Sequence, residues 1–336
     1  MNTTAEGAPD LETPQRTCAY VYTDGTSCPG EVEGEGNLCF WHDPKAAKDG
    51  ADIRQRLEAW ARSGRSMEGF VLRQARLEGA RLSSQQGFDL RRADLSRANL
   101  QGASLFNLDL REAQLLKTDF SRANLNHAKL ENADLLGTIL DGTKLEEVEW
   151  GEVAMQEQKA QYAGSEGKRE EAARLYKEAE EVYRNLRRTY DSSGYFQDAG
   201  RFFYREMVMR RKLMRRWSVQ HLWSKLVDLM CGYGELPPRV LLFSFIVVFG
   251  AAVFYLFLGV HTAHGFLVFE ASAGIEENIW RYFTCVYYSV ITFCTIGYGD
   301  IVPVGYSRII ASIEGFIGAF TIALFIVVFS KKMTRS

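Results

Sequence analysis

Three patterns of hydrophobic and polar positions divide the chain. Between residues 70 and 150, leucine or phenylalanine recurs at every fifth position. Residues 168–217 place apolar side chains at helical spacing, as two helices interrupted at 191–194. Two stretches of 21 residues, 240–260 and 309–329, are almost wholly apolar. We therefore expect a repeat domain, a helical hairpin and a membrane domain, in that order.

The repeat of five matches neither the 3.6-residue period of a helix nor the two-residue period of a strand. An early set (Leu72, Leu77 and Leu82) is out of phase with the rest, which predicts an insertion of three residues near 85–87. Alanine usually stands two positions before the apolar residue. The main set is Leu90, Leu95, Leu100, Leu105, Leu110, Leu115, Phe120, Leu125, Leu130, Leu135, Leu140 and Leu145.

This Ala-(Asp/Asn)-Leu-x-x motif, as in 93–95 and 98–100, resembles the pentapeptide-repeat proteins. The resemblance implies a right-handed quadrilateral β-helix with four repeats per coil and inward-pointing leucines, with Trp150 as a cap. Some relatives mimic DNA with an acidic surface. Residues 88–147 hold 8 Lys and Arg against 10 Asp and Glu, so we expect a scaffold or interaction role instead.

Each of the two apolar stretches is long enough to cross a membrane, which needs roughly 20 apolar residues. The alternative is a buried helix of a soluble core, which is rarely apolar on all faces. Residues 201–225 hold 8 basic side chains and one acid, whereas the segment between the stretches is acidic. Positive flanks stay in the cytoplasm, so both termini are expected there. Residues 1–15 contain no apolar run typical of a signal peptide.

A third apolar stretch, 279–293, is too short to cross and is followed by a glycine-containing segment. Irregular backbone at membrane depth is tolerated where it lines a cavity, and glycine permits the backbone angles that let consecutive carbonyls point one way. Rings of carbonyl oxygens can replace the water around a cation. The segment is therefore expected to re-enter the membrane and bind cations. Its residues are Thr295, Ile296, Gly297, Tyr298, Gly299 and Asp300.

With Thr292 before it and Pro303 after it, this segment resembles the filter of potassium channels with two membrane helices and a pore loop. The resemblance covers roughly residues 239–336. It implies a homotetramer, since one loop cannot enclose a pore, and K+ as the permeant ion. The alternatives are a nonselective cation channel of the same fold and a membrane-tethered pentapeptide scaffold with a silent pore.

Some related channels place a carboxylate behind the filter, where this chain has Ile291. The nearest acid is Glu314, in the second span. An acid inside a membrane is costly unless it is paired or hydrated. We expect Glu314 to brace the pore helix or to attract cations; the alternative is a protonated, lipid-facing acid. Gly315 and Gly318 are candidate gating hinges, with close packing as the alternative.

Near the N-terminus, Cys18, Cys28, Cys39 and His42 have the types and number for a closed tetrahedral zinc site. The glycine-rich module around them is too small for a core of its own, and a metal would supply the missing stability. A structural Zn2+ is expected; the alternative is three unrelated thiols.

The remaining sequence features exclude some classes of function. No base is paired with a nucleophile and no glycine-rich phosphate loop occurs, so we do not expect an enzyme. The net charge of −2 disfavours binding to nucleic acid. Residues 217–230 suit a helix at the membrane interface, where basic neighbours would hold anionic lipid. His261 and His264 read as loop residues rather than metal ligands, Cys294 as a packing residue, and Cys231 carries no assignment.

Only seven residues follow the second span, so a regulatory signal from the cytosolic half is expected to reach the pore through 168–217, 217–233 and the first span. A purely assembly-related role for that half is the alternative. The sequence thus predicts a multidomain membrane protein. Its expected parts are a disordered N-terminus (1–15), a zinc module (16–45), a linker helix (46–66), the β-helix (67–150), the helical hairpin (151–216), an interfacial helix (217–238), a first membrane helix (239–261), an extracellular loop (262–278), a pore helix (279–294), the filter (295–300), a second membrane helix (307–330) and a cytosolic tail (331–336).

Overall fold

The computed structural model describes residues 16–32, 35–263 and 265–334. The chain divides into two units, Met1–Gly194 and Tyr195–Ser336, each with its own packed interior. The expected disordered N-terminus and His264 lie outside the described residues.

Residues 70–150 coil in steps of four repeats. A parallel bridge joins Asp89 to Asp109, 20 residues later, and this spacing continues through the domain. In the first coil the spacing is 23, as in the bridge from Val71 to Asp94. The three extra residues therefore sit in the first coil, where the phase shift of the leucines placed them. The regular leucines and alanines are buried, so they form the core of a four-sided β-helix.

The corners of the coil use left-handed backbone. One residue per repeat has a positive φ, including the non-glycine residues Arg92 (58°), Arg97 (61°) and Asn107 (58°). This conformation costs an L-residue roughly 1–2 kcal/mol. The parallel bridges and the buried leucine ladder must offset that cost at every corner, so the domain depends on the repeats stacking as a set.

The cysteine-rich module covers the N-terminal end of the β-helix. Trp41 stacks on Phe70 with ring centroids 5.2 Å apart, and Val71 N donates to Trp41 O (2.8 Å). Helix α1 (Ile53–Arg62) adds Trp60, whose ring meets Phe70 edge to face. The first coil therefore does not end in an open edge, which would invite aggregation.

Helices α2 (Met155–Ser165) and α3 (Arg169–Ser192) cover the other end. Trp150 Nε1 donates to Tyr190 OH (2.7 Å), which in turn donates to Leu145 O (3.1 Å). Helices α3 and α4 (Phe196–Leu213) confirm the two helices predicted within 168–217, and α2 precedes them as a helix that was not predicted. The extra helix, α2, buries alanines against α3, and alanine gives little periodic signal.

The second unit contains three long apolar helices. Two of them are long and apolar enough to cross a membrane, Pro237–Leu258 and Ser307–Thr334. A three-stranded sheet of order β2-β1-β3 lies at one end of these helices. After α4, the elements are α5 (Val219–Cys231), a 3-10 turn (Gly232–Gly234), α6 (Pro237–Leu258), β1 (Val260–Thr262), β2 (Gly265–Leu267), α7 (Ile275–Phe293), β3 (Ile301–Pro303) and α8 (Ser307–Thr334).

Several boundaries differ from the expected ones. Helix α7, which the sequence predicted as a pore helix, begins at Ile275 instead of 279, because Glu276 and Glu277 form a polar first turn that an apolar search omits. Acids are favourable there beside the positive end of the helix dipole. Helix α8 continues to Thr334, four residues beyond the expected end, because lysines suit the last turn. The first membrane helix ends at Leu258, and the expected loop contains a hairpin.

Candidate functional site

Helix α7 points its C-terminal end at the candidate filter. The backbone turns back on the last turn of the helix, because Ile296 N and Gly297 N both donate to Ile291 O (2.9 and 3.3 Å). Thr295 N donates to Thr292 O (3.0 Å). The carbonyl ends of a helix carry a partial negative charge. The segment 295–299 therefore starts in an environment that favours a cation.

Successive residues of the segment 295–299 alternate between left-handed backbone, with positive φ, and backbone with negative φ. Thr295, Gly297 and Gly299 have positive φ (55°, 57° and 80°), whereas Ile296 and Tyr298 do not. Alternation of this kind lets successive carbonyls face the same side of the chain, and two of the three left-handed positions are glycine, which tolerates them. In the single chain Ile296 and Tyr298 are 51% and 69% exposed. These large apolar side chains are surface that a partner chain can cover.

Contacts with α7 and with the sheet also hold the C-terminal end of the segment 295–300. Tyr287 OH, on α7, donates to Asp300 Oδ2 (2.9 Å). Beyond Asp300, β3 pairs antiparallel with β1, with His261 opposite Val302. The segment is thus held at its start by α7 and at its end by the sheet.

Glu314 joins the three apolar helices. Its side chain is 2% exposed, on α8. Tyr255 OH, on α6, donates to Glu314 Oε2 (2.5 Å), and Ser289, on α7, hydrogen-bonds the other carboxylate oxygen. Ser289 Oγ also lies 2.8 Å from Val248 O. This burial fits neither the lipid-facing alternative nor a charge open to a cavity.

Gly315 and Gly318 face the C-terminal end of α7. A Cβ on Gly318 would lie 2.0 Å from Phe293 O, which is backbone and cannot move aside. A Cβ on Gly315 would lie 3.8 Å from Thr292 O, an ordinary contact distance. Of the two interpretations of Gly318, close packing therefore has direct geometric support.

The four candidate metal ligands come together in the cysteine-rich module. All four are buried, and their ligand atoms lie within 4.8 Å of one another. Cys28 Sγ and Cys39 Sγ are 3.8 Å apart, and His42 Nδ1 is 3.3 Å from Cys39 Sγ and 3.5 Å from Cys18 Sγ. A tetrahedron with metal–sulfur bonds of about 2.3 Å has edges of about 3.8 Å. The arrangement fits a zinc-sized ion.

A hydrogen bond fixes the tautomer of His42 in the form that can bind a metal. His42 Nε2 lies 2.9 Å from Glu68 O, which can only accept, so Nε2 carries the proton and Nδ1 is free to bind metal. A hydrogen bond between the Cys28 and Cys39 sulfurs lowers the pKa of Cys28 below its usual range. The same hydrogen bond raises the pKa of Cys39. A bound cation would instead favour the thiolate form of both.

The sequence analysis missed the residues that hydrogen-bond Glu314, Asp300 and His42. Tyr255, Ser289 and Tyr287 lie in helices whose apolar character dominated the pattern, and a hydroxyl in such a helix is the signal that could have revealed them. Glu68, which orients His42 through its backbone, carries no sequence signal. Of the other candidates, His261 is exposed in β1, Cys294 is exposed beside the filter, and Cys231 is buried.

Comparisons with known proteins support two assignments. A family described as ion channels matches residues 241–335, and pentapeptide repeats, in eight copies, match residues 89–126 and 118–148. Among curated proteins the comparison found no match.

Solved structures similar to the chain include pentapeptide-repeat proteins. One, Rfr23 from the cyanobacterium Cyanothece 51142, is 29% identical over 25% of this chain and 56% of its own length, with a TM-score of 0.24. Another, alr5209 from Nostoc Pcc 7120, is 32% identical over 30% of this chain and 76% of its own, with a TM-score of 0.20. This chain thus spans little more than half the length of the former.

Each matched region lies within one of the two structural units. The ion-channel match spans α6, α7 and α8, including the segment that follows α7. The repeat match spans the regular coils of the β-helix. The chain therefore carries an ion-channel domain with two candidate membrane helices and, N-terminal to it, a pentapeptide-repeat domain.

Proposed function

We propose that the protein is a potassium-selective channel of the cell membrane that works as a homotetramer. The observation that carries the proposal is the segment 295–300: an alternating, glycine-containing backbone at the C-terminal end of a short helix held between two membrane helices. Four such segments around an axis would present rings of carbonyl oxygens, which replace the hydration shell of K+.

The geometry of a single chain supports a tetramer. One segment supplies one side of a pore, and its Ile296 and Tyr298 side chains are left exposed. Closed cyclic symmetry is the usual way for identical chains to complete such a site. The basic flanks of the membrane helices favour an orientation with both termini in the cytoplasm.

The N-terminal unit is proposed to regulate or assemble the channel, with a structural Zn2+ at Cys18, Cys28, Cys39 and His42. All four positions of a tetrahedral site would be filled by protein, which leaves no open position for catalysis. We propose that the protein has no enzymatic activity and binds no nucleic acid. Trp223, on helix α5, and Trp217, two residues before that helix, are 66% and 86% exposed, which suits a membrane interface and anionic lipid nearby.

Flux into liposomes tests the proposal. Purified full-length protein in vesicles should admit K+ and exclude Na+ under matched gradients. Equal fluxes of the two ions would favour a nonselective cation channel, and absence of flux from a tetrameric preparation would favour a scaffold. Gly299→Ala is the matched control, because it should remove selectivity and leave the tetramer intact.

A further inference from the structure

The C-terminal end of α8 touches the segments that precede the first membrane helix. Lys331 Nζ forms an ion pair with Glu235, whose side chain is only 12% exposed. The same ammonium lies 5.7 Å from the centre of the Phe203 ring, on α4. A cation over an aromatic face is attracted to it. The last turn of α8 is therefore bound to both the 3-10 turn region and α4.

Helix α4 has a glycine, Gly200, at the point where it meets this ion pair. A Cβ on Gly200 would lie 2.4 Å from Glu235 Oε2. Glycine at this position lets α4 approach the carboxylate, and a methyl group would push the carboxylate away from Lys331. The contact therefore depends on three elements that are far apart in the sequence.

A second set of contacts holds α4 beside the start of α6. Asp228, on α5, pairs with Arg211 of α4 (2.6 Å) and with Arg239 of α6. Arg239 also donates to Tyr204 OH of α4 (3.1 Å). Helix α4 thus contacts the N-terminal part of the first membrane helix and the C-terminal part of the second at once.

These contacts correct the expected path from the N-terminal half to the pore. That path ran through the first membrane helix alone, because few residues follow the second. Lys331 belongs to the last turn of the second membrane helix itself, so α4 reaches that helix directly. No local sequence pattern indicates this contact, since Glu235 and Lys331 are 96 positions apart in the chain.

We infer that Lys331, Glu235 and Gly200 form a latch through which α4 positions the end of α8 and so sets the open probability of the channel. The inference rests on the proposed channel function. Helix α8 begins just after the filter, and its continuous hydrogen bonding makes it stiff. A movement of its last turn is thereby carried towards the filter, and α4 controls that turn.

Single-channel recording of the full-length protein in planar bilayers, with K+ on both sides, tests the latch. Glu235→Gln and Lys331→Met should each change open probability about three- to tenfold, and the double variant should change it no further, because both remove the same pair. Gly200→Ala should shift it in the same direction. Unitary conductance should not change, because the filter is untouched.

Lys332→Met is the matched control. It removes one charge from the same helix end, and Lys332 makes no ion pair within the described residues 16–32, 35–263 and 265–334. Wild-type open probability in all the latch variants, or additive effects in the double variant, would overturn the inference. A wild-type reversal potential near zero with K+ on one side and Na+ on the other would instead contradict the proposed selectivity, and the recordings with K+ on both sides would still test the latch.

Discussion

At the residue scale, Glu314 is the only acid in α8, and its carboxylate receives hydrogen bonds from both neighbouring helices. Glu314→Ala would leave the hydroxyl of Tyr255 without its acceptor, and a buried unsatisfied group costs about 1–3 kcal/mol, whereas Ser289 keeps Val248 O as an acceptor. We expect a less stable tetramer and an altered open probability. Glu314→Gln should be milder because its amide still hydrogen-bonds.

Thermal denaturation of the tetramer and bilayer recordings, made on the same preparations, check this expectation. Glu276→Gln is the control, since Glu276 is an exposed acid in the first turn of α7. Wild-type stability and gating in both Glu314 variants would show that the carboxylate does not brace the pore helix.

Gly318 and Gly315 offer a second comparison at this scale. Gly318→Ala places a methyl group against the Phe293 carbonyl, so α8 must move away from α7. Overpacking of this kind typically costs about 1–3 kcal/mol. Gly315→Ala meets only an ordinary contact and should be nearly neutral. Potassium flux per tetramer, measured for both variants, distinguishes packing from hinge action: a hinge predicts that both substitutions impair gating.

At the element scale, the metal module is predicted to stabilise the first coil of the β-helix through His42 and Trp41. Purified protein should contain about one zinc ion per chain. Cys39→Ser should lose it and lower the melting temperature of the N-terminal unit, because metal binding contributes directly to folding. Elemental analysis and calorimetry make the measurement, with Cys231→Ser as the control.

Channel selectivity should survive loss of the metal, because the filter lies in the other structural unit. Metal-free protein with an unchanged melting transition would contradict a structural role for the site. Retention of zinc by the Cys39→Ser protein would contradict the ligand assignment.

Elements with a strong repeat could be predicted from the sequence, and their contacts could not. The period of five located the β-helix and its three-residue insertion, because every coil repeats one register. The candidate filter was recognised because TIGYGD follows a short apolar stretch. The contacts of Glu314 join residues 59 and 25 positions away. No local pattern encodes such pairs of residues. The ends of α7 and α8 were placed wrongly because their polar turns lie outside the apolar runs.

At the scale of the whole molecule, two truncations separate the roles of the N-terminal half. Removal of residues 1–194 takes away the first unit and leaves α4, whereas removal of 1–210 takes away most of α4 and its contact with Lys331. We expect both proteins to keep ion selectivity. The longer deletion should shift open probability more, because it breaks the direct contact with α8.

Single-channel recordings of the two truncated tetramers measure the difference. Equal open probabilities in both and in the full-length protein would leave assembly as the role of the N-terminal half. A large shift on removal of residues 1–194 alone would place regulation in the β-helix and metal module.

The central claim is that residues 295–300 of four chains form a potassium filter. The reversal potential of the full-length channel with K+ on one side of a bilayer and Na+ on the other tests it most directly. We expect a wild-type reversal potential that is strongly displaced in the direction that K+ selectivity requires, and we expect Gly299→Ala to lose that displacement. A wild-type reversal potential near zero would contradict it.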